Sequence, residues 1–584
     1  MMKDHEQQHS EQQSFHPSHF DPLRNQGENK GSPAQSVSEQ KDEINPMDGY
    51  RNIIEKGVWL PAQEAKQAGG GEGESSEIKK QMQTSHKEPV PSSLDEILKR
   101  LEDEIGYKTS FDISVREMTI GKTRIAMLSV SGLVNSEIML EILERLTYLQ
   151  ANQVGHEALE SFFTYYVPSA QVRKEEDWNL VLASILGGEC ALFVDGDPAA
   201  LVIEVRNFPA RGLEEPSLEK VVRGSRDGFI ETLMVNISLV RRRLKDPKLR
   251  YELLRVGART KTDVCIAYID DIVDRELLQE VKRKIEMIKI DGLPLADKQL
   301  EEATIKRGWN PFPLVRYSER PDTVASHLLE GAIAIFVDTS PSVMTLPATY
   351  ADLMQHVEEN RQTPLVGSYL RWVRFIGIMA SLLLLPMWIL FVQHPEYRPV
   401  GLDFLGPKET GPIPLILQFF IAEIGIDLMR MASVHTPSSL ATAMSLVAAI
   451  LIGDIAVKTG VFVTEVILYI AVAAVGMFAT PSYELGLANR LVRLLLIATV
   501  SMFGLAGLTI PLTLIIVGLA MERSENRPYL WPLIPFDIKS AINILIRKPV
   551  LYNRTRPNIM KPQQSQRMPI DDRSEEGEQS NNTN

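Results

Sequence analysis

The stretch FIGIMASLLLLPMWILFV, from Phe375 to Val392, decides the fold because it is an unbroken apolar run. A hydrocarbon core of about 30 Å requires about 20 apolar residues in a helix, so this run predicts a transmembrane helix. Arg371, Trp372 and Arg374 lie directly before it. Cationic flanks are typical of the cytosolic side of a span, so we expect the preceding part of the chain to lie in the cytosol.

Further apolar segments follow this run up to Met521. They are Ile413–Met429, Ala441–Val457, Val461–Thr480 and Leu491–Met521. The last one contains Gly504, Gly507 and Pro511, which allow either one tilted span or a hairpin. The tail that follows is net basic up to Arg567 and should return to the cytosol. Because two cytosolic ends require an even number of spans, we expect an α-helical multi-pass membrane domain over residues 366–522, with four or six spans, and a cytosolic basic tail over 523–584.

Four acidic residues lie inside these apolar segments: Glu423, Asp427, Asp454 and Glu465. A charged side chain inside a span costs about 2.5 to 3.5 kcal/mol, so each carboxylate needs compensation. One interpretation is local pairing, since Asp454 lies one turn from Lys458 and Asp427 is close to Arg430. The other is that the four carboxylates line a water-filled path for ions or small solutes. The sequence leaves both open, with pairing favoured for Asp454.

The preceding region contains a near-repeat. LGGECALFVDGDP, Leu186–Pro198, aligns without gaps on LEGAIAIFVDTSP, Leu329–Pro341. Each copy reads as a helix end, an apolar strand and a turn closed by proline, which predicts a duplicated α/β or α+β region with subdomains at 91–225 and 226–365. Asp195 and Asp338 then fit turns, where a carboxylate accepts backbone N–H groups, better than they fit catalysis.

Two polar stretches flank or interrupt this region. Residues 1–90 are rich in Gln, Glu, Ser, His and Gly and predict a disordered arm, because such a composition cannot bury enough apolar surface. The run RRRLKDPKLR, Arg241–Arg250, predicts a solvated helix end, with lipid headgroups or the acidic arm as alternative partners.

Composition and motifs exclude several classes of function. A formal net charge of -13 argues against a nucleic-acid binder. Cys190 and Cys265 stand far apart without a CxxC pattern, so they predict buried free thiols and no metal site. Walker A, HExxH, GxSxG and kinase signatures are absent, and His327 fits a core or surface position better than a base. We therefore expect no enzymatic activity and no cofactor.

Several long segments occur in the order in which a known family has them. They are NPFPLVRYSERPDTVASHLLEGAIAIFVDTSPSVMTLP (Asn310–Pro347), LRWVRFIGI (Leu370–Ile378), HTPSSLATAMSLVAAILIGDIAV (His435–Val457), TPSYELGLANR (Thr480–Arg490) and PYLWPLIPFD (Pro528–Asp537). From about residue 95 to about residue 562 the chain resembles the A subunits of GerA-type spore germination receptors. Within that family, VDTSPS and TPSYELGLAN look most like the stage V sporulation protein AF branch.

The resemblance implies a location and an activity. It implies a protein of the spore inner membrane, with both termini on the core side, that forms a homo-oligomeric channel, expected to be a pentamer, and releases monovalent cations during germination. It also implies other germination membrane proteins as partners. A receptor A subunit works with a transporter-like B subunit and a lipoprotein C subunit, whereas the AF branch is thought to pair with a different small membrane protein and to amplify ion release. A nutrient-receptor A subunit and a solute transporter remain the alternatives.

Overall fold

A computed structural model describes residues 88–149, 158–169, 171–208, 216, 219–305, 308–401, 406–407, 411–435, 446–447, 450 and 455–567. Of the predicted disordered arm, residues 1–87 lie outside this part of the chain. The described chain contains a first lobe (residues 88–208), a second lobe (219–361), a helical section (364–521) and a C-terminal segment (522–567).

The first lobe is built on a five-stranded antiparallel sheet. Its strands are β1 (Ile113–Ile120), β2 (Thr123–Val130), β3 (Val172–Glu175), β4 (Cys190–Val194) and β5 (Ala200–Ile203), in the order β1-β2-β4-β5-β3. Its helices are α1 (Leu94–Ile105), α2 (Ser136–Thr147), α3 (Ala158–Ser161), which continues as a π-helical turn (Phe162–Tyr166), and α4 (Trp178–Leu186). Successive residues of β4 face opposite sides of the sheet. Phe193 packs in one core with Trp178, and Leu192 packs in the other with Phe162, so both sheet faces are covered by helices.

The second lobe repeats this plan. Its strands are β6 (Leu249–Val256), β7 (Thr262–Ile269), β8 (Arg316–Ser318), β9 (Ile333–Val337) and β10 (Val343–Leu346), in the order β6-β7-β9-β10-β8. Its helices are α5 (Leu233–Arg243), α6 (Arg275–Glu286), α7 (Ala296–Thr304), α8 (Pro321–Glu330), α9 (Tyr350–Met354) and α10 (Val357–Arg361). The near-repeat of the sequence forms the equivalent strands β4 and β9. As predicted, Cys190 and Cys265 are buried free thiols.

The aspartates that end the repeated strands cap helices. The Asp195 carboxylate accepts the backbone N–H of Leu94 at 3.0 Å, and the Asp338 carboxylate accepts that of Leu233 at 3.2 Å. Each donor is the first residue of a helix, α1 or α5, where backbone N–H groups lack partners within the helix. The predicted chemistry is present, but the donors lie about one hundred residues earlier in the chain instead of in the turn itself. Pro198 and Pro341 follow the two aspartates in the turns.

A buried ion pair joins the two lobes. Arg241 of α5 lies 2.9 Å from Asp112 of the first lobe, and both side chains are almost fully buried. Arg241 also stacks over the ring of Tyr251. The backbone N–H of Tyr251 donates to the Ser110 hydroxyl of the first lobe at 2.9 Å. The prediction that this basic run forms a solvated helix end is therefore wrong for Arg241. An arginine with this burial needs a carboxylate and carbonyl partners, and the fold supplies them from both lobes.

The helical section follows the second lobe directly. It comprises α11 (Pro364–Gln393), a 3-10 turn (Pro395–Tyr397), α12 (Leu415–His435), α13 (Ala456–Lys458), α14 (Thr464–Phe478), α15 (Tyr483–Phe503) and α16 (Leu505–Met521). In the described part of the chain, α11 and α15 are long and apolar enough to cross a membrane, while α14 and α16 are shorter apolar helices. The α11 and α14 backbones approach closely at Gly377 and Gly476. A Cβ added to Gly476 would lie only 2.1 Å from the Gly377 carbonyl oxygen, so a larger residue would not fit there.

The last apolar segment forms a hairpin. Gly504 has a φ of 56°, a left-handed value that favours glycine, and it separates α15 from α16. Beyond the break, a Cβ added to Gly507 would lie 1.9 Å from the Thr499 carbonyl oxygen. Of the two possibilities left by the sequence, one tilted span or a hairpin, the structure therefore has the hairpin.

The C-terminal segment folds back onto the second lobe. It contains β11 (Arg523–Ser524), β12 (Arg527–Pro528), α17 (Ile538–Leu545) and two 3-10 turns (Val550–Tyr552 and Asn558–Met560). Glu525 pairs with Lys284 at 2.8 Å, and Arg567 pairs with Glu330 at 2.6 Å. The chain therefore enters and leaves the helical section at the same end.

The helix-capping aspartates give a testable prediction for the fold. Replacing Asp195 or Asp338 with Ala removes the acceptor and should destabilise the first turn of α1 or α5 by about 1 kcal/mol. Backbone amide hydrogen exchange, measured on the full chain, should then be about fivefold faster at Leu94 in the Asp195 variant and at Leu233 in the Asp338 variant. The matched Asp→Asn variants keep a side-chain oxygen and should exchange nearly as the parent does. Equal acceleration by Ala and Asn would contradict the capping role.

Candidate functional site: a charged cluster in the helical section

Two of the predicted acidic residues share one face of α12. Glu423 and Asp427 are four residues apart, which places them on neighbouring turns of the same helix face. Glu423 is only 1% exposed, whereas 41% of the Asp427 side chain is exposed. The structure therefore brings these two residues together at different depths, with Glu423 inside the helix cluster and Asp427 at its edge.

Their partners are two arginines of α15. Arg490 Nη2 lies 3.0 Å from Glu423 Oε2, and Arg493 Nη2 lies 2.8 Å from Glu423 Oε1. Arg490 also pairs with Asp427. Both arginines are buried, and their spacing of three residues points them to the same side of α15. Two carboxylates and two guanidinium groups form this cluster, so their formal charges cancel.

The same cluster reaches a third helix. Arg493 Nη1 donates to the Ser381 carbonyl oxygen of α11 at 2.7 Å and to the Ser381 hydroxyl at 3.1 Å. One turn before Glu423, the buried Gln418 side chain accepts the backbone N–H of Val463, next to α14, at 2.9 Å. Polar contacts therefore connect α12 with α11, α15 and the start of α14. Each of these contacts gives a buried polar group a hydrogen-bond partner in place of water, which an apolar environment excludes.

The pairing explains how Glu423 and Asp427 are tolerated in an apolar section. Arginine stays protonated in proteins, so the cluster is not suited to relay protons. A carboxylate held by two guanidinium groups is also not available to a passing cation, because the arginine charges repel it. In this arrangement Glu423 acts as a link between helices, and only Asp427 keeps an open side.

Of the other two predicted acidic residues, the structure describes only Glu465. Glu465 is in the first turn of α14, where the helix dipole favours a carboxylate, and it is partly buried. Asp454 lies outside the described residues. Among the residues that the structure describes, no group of three or more His, Cys, Asp or Glu side chains is placed to hold a metal ion.

Sequence reasoning missed the arginines of the cluster. It named Arg430 as close to Asp427, whereas the structure adds Arg490 of α15 as a partner of Asp427 and places Arg430 over the Phe478 and Tyr483 rings. The available signal was the segment ANRLVRLLL, Ala488–Leu496, in which two arginines three residues apart interrupt an apolar helix. Such a pair predicts a buried acidic partner, although only the fold identifies it.

Comparison with known proteins identifies relatives over most of the chain. Residues 99–559 match the model of the Bacillus/Clostridium GerA spore germination protein family. The chain is 45% identical to stage V sporulation protein AF of Bacillus subtilis, covering 80% of this chain and 94% of that protein. It is 30% identical to spore germination protein KA of Bacillus subtilis, covering 83% of this chain and 90% of that one.

A solved structure is also similar in sequence. It is the crystal structure of the N-terminal domain of the A subunit of the Bacillus megaterium spore germinant receptor GerK3. The match has 30% identity and a TM-score of 0.36, and it covers 45% of this chain and 98% of that domain.

The cluster predicts unequal effects for its two carboxylates. Glu423→Gln leaves two buried guanidinium groups without their shared counter-ion and should destabilise the helical section by about 3 kcal/mol. Asp427→Asn removes a half-exposed partner and should cost less than about 1 kcal/mol. Thermal unfolding of the detergent-solubilised full chain measures both. Similar losses for the two variants would show that Glu423 is not the buried link that we describe.

Proposed function

Because this chain belongs to the GerA family of spore germination proteins, we propose that it is a subunit of an oligomeric membrane channel. In this proposal the channel releases monovalent cations from the spore core and so triggers or amplifies germination. The chain would lie in the spore inner membrane with both termini on the core side. It would act without catalysis and without a cofactor.

The observation that carries the proposal is the charged cluster within apolar helices. Ionisable residues inside apolar helices commonly mark ion pathways, and in this cluster Asp427 keeps an open side. Glu423 would hold the helices in place, while Asp427, with its open side, would contribute to the pathway. Glu465 and Asp454 remain candidates for the same pathway.

The exposed surface of α12 supports an oligomer. Large apolar side chains at 4-3-4-3 spacing are exposed along this helix: Leu417, Ile421, Ile424, Leu428 and Met431. This spacing is typical of a seam that packs against another helix. Asp427 lies next to this stripe, so a ring of subunits joined through α12 would bring several Asp427 carboxylates close together. Rings of carboxylates favour cations in known pores.

The arrangement of the chain supports a bilayer location. Two helices, α11 and α15, are long and apolar enough to cross, and the chain returns to its starting end after α16. We propose that the second lobe and the C-terminal segment both lie on the core side of the membrane. Both termini would then share that side, as an even number of spans requires.

Two alternatives have support in the sequence. The chain could serve as the A subunit of a nutrient receptor, together with a transporter-like B subunit and a lipoprotein C subunit, since spore germination protein KA is a relative at 30% identity. It could instead be a solute transporter, in which charged groups near the middle of the membrane bind a substrate. A receptor subunit would need its partners for full activity, and a transporter would show saturable exchange.

Reconstitution into liposomes tests the proposal. The full chain should release K⁺ down its gradient without saturation, and its measured mass should be that of a homo-oligomer. Asp427→Asn removes a pathway charge and should lower the preference for K⁺ over Cl⁻ several-fold. The matched control is Asp263→Asn, which removes a partly exposed carboxylate from the second lobe and should leave flux unchanged.

Three results would contradict specific parts of this proposal. Saturable exchange of one solute would favour the transporter. The absence of K⁺ release by a correctly folded oligomer, with release restored by added B and C subunits, would favour the receptor subunit. Unchanged selectivity in Asp427→Asn would remove this residue from the pathway.

A further inference from the structure

A polar cavity lies where the second lobe meets the linker to α11. Its volume is about 240 Å³, and it lies between β8, the first turns of α8, and the segment around α10. Arg316, Thr323, His327, His356 and Arg361 are among the residues that line it. Because α11 begins at Pro364, the cavity is three residues from the first long apolar helix.

Three guanidinium groups at the cavity, those of Arg316, Arg320 and Arg361, face two carboxylates, those of Glu219 and Asp322, which leaves one net positive charge. Arg316 is held in place by donating from Nη1 to the Asp352 carbonyl oxygen at 2.7 Å and from Nη2 to Glu219 at 3.2 Å. Arg361 is less buried, with 27% of its side chain exposed, and it pairs with Asp322. Planar guanidinium groups match the geometry of oxyanions well.

One carboxylate, that of Asp322, also lines the cavity. The buried Arg320 holds it from behind, with Nε 3.0 Å from Oδ1 and Nη2 2.9 Å from Oδ2. Although burial alone would raise the pKa of Asp322, hydrogen bonds and charge from Arg320 and Arg361 lower it, so this group stays ionised. Asp322 is therefore shared by Arg320 and Arg361, and one carboxylate balances only one of the two guanidinium charges.

A buried hydroxyl supplies an independent sign of a ligand. Thr323 is only 5% exposed, and its Oγ1 atom is buried without a hydrogen-bond partner among the described residues. It lies in the first turn of α8, a helix of ten residues, where its backbone N–H donates to the Asp322 carboxylate at 2.9 Å and leaves only the hydroxyl without a partner in the described part of the chain. A buried hydroxyl without a partner is rare in folded proteins and calls for a ligand or water.

Two histidines in the cavity lining are uncharged. Burial, together with the Arg316 charge, lowers the pKa of His327 to about 3. Burial also lowers the pKa of His356 to about 4, with contributions from Arg374 and Arg316. Both side chains are therefore neutral at neutral pH. His356 Nδ1 accepts the Glu358 backbone N–H at 3.2 Å, so its Nε2 carries the proton and can donate.

We propose that this cavity binds a phosphate-type oxyanion through the Arg316 and Arg361 guanidinium groups and the Thr323 hydroxyl. The anion would accept a hydrogen bond from the buried hydroxyl and would balance the one positive charge that the two carboxylates leave. The cavity exceeds the size of inorganic phosphate and could accept a small phosphate ester or a phospholipid headgroup. Anion binding in this cavity does not require ion conduction.

The position of the site gives the anion a structural consequence. Arg316 and Thr323 belong to β8 and α8 of the second lobe, whereas His356 and Arg361 belong to the linker before α11. An anion held by both groups would fasten the linker to the lobe. Hydrogen exchange over residues 355–361 should therefore slow when the site is occupied.

Phosphate binding to the full chain in phospholipid-free detergent tests the proposal. Equilibrium dialysis with radiolabelled inorganic phosphate should show saturable binding. Thr323→Val keeps the shape but removes the hydroxyl, and it should weaken binding about three- to tenfold. Arg361→Gln should weaken it more than about tenfold, because it removes a charged donor. The matched control Arg255→Gln, at an exposed ion pair of β6, should bind as the parent does.

The source of the anion is tested by competition. If micelles that contain phosphatidic acid displace labelled phosphate and micelles of phosphatidylcholine do not, the occupant is a lipid headgroup of the phosphomonoester type. If neither lipid competes, the occupant is a soluble phosphate compound. The proposal is overturned if binding does not saturate, or if both variants bind phosphate as the parent does. Slower exchange over 355–361 on phosphate addition confirms that the correctly folded site is being measured.

Discussion

The architecture of the helical section depends on one requirement, which is that the buried Glu423 carboxylate be neutralised. Arg490 and Arg493 meet it from α15, and Arg493 extends the contact to Ser381 of α11. An unpaired charge at this depth would be costly, so the three helices have one favourable arrangement. The hairpin at Gly504 then places α16 beside α15, and Gln418 fixes the start of α14. The same cluster leaves Asp427 at the edge, with 41% of its side chain exposed.

The two lobes are organised by duplication and by contacts between distant segments. Each lobe uses the aspartate that ends a central strand to cap its own first helix, and the Asp112–Arg241 pair joins the lobes. The C-terminal segment binds the second lobe through pairs such as Glu525–Lys284. Because the second lobe also leads into α11, it adjoins both the start of the helical section and the segment that follows its end.

The sequence predicted the elements better than it predicted their partners. The Phe375–Val392 run became part of α11, and the two FVD motifs became equivalent strands, because continuous apolar runs and local repeats are encoded locally. The partner of Glu423 lies 70 residues away on α15, and only the fold brings it close. The basic run at Arg241 indicates a solvated helix end, because the acceptor that buries Arg241, Asp112, lies 129 positions earlier in the sequence. The sequence pattern of the basic tail indicates only its orientation relative to a membrane. In the structure, Arg567 of this tail also pairs with Glu330 of the second lobe, a contact that the sequence does not indicate.

A double-mutant cycle on Glu423 and Arg493 tests the central claim most directly. The free energy of unfolding of the full chain in detergent would be measured for Glu423→Gln, Arg493→Gln and the double variant. If the two side chains form a buried pair that holds α12 against α15, the double variant should lose less stability than the sum of the single losses, with a coupling of about 1 kcal/mol or more. Additive losses would show that the two residues do not interact and would contradict this account of the helical section.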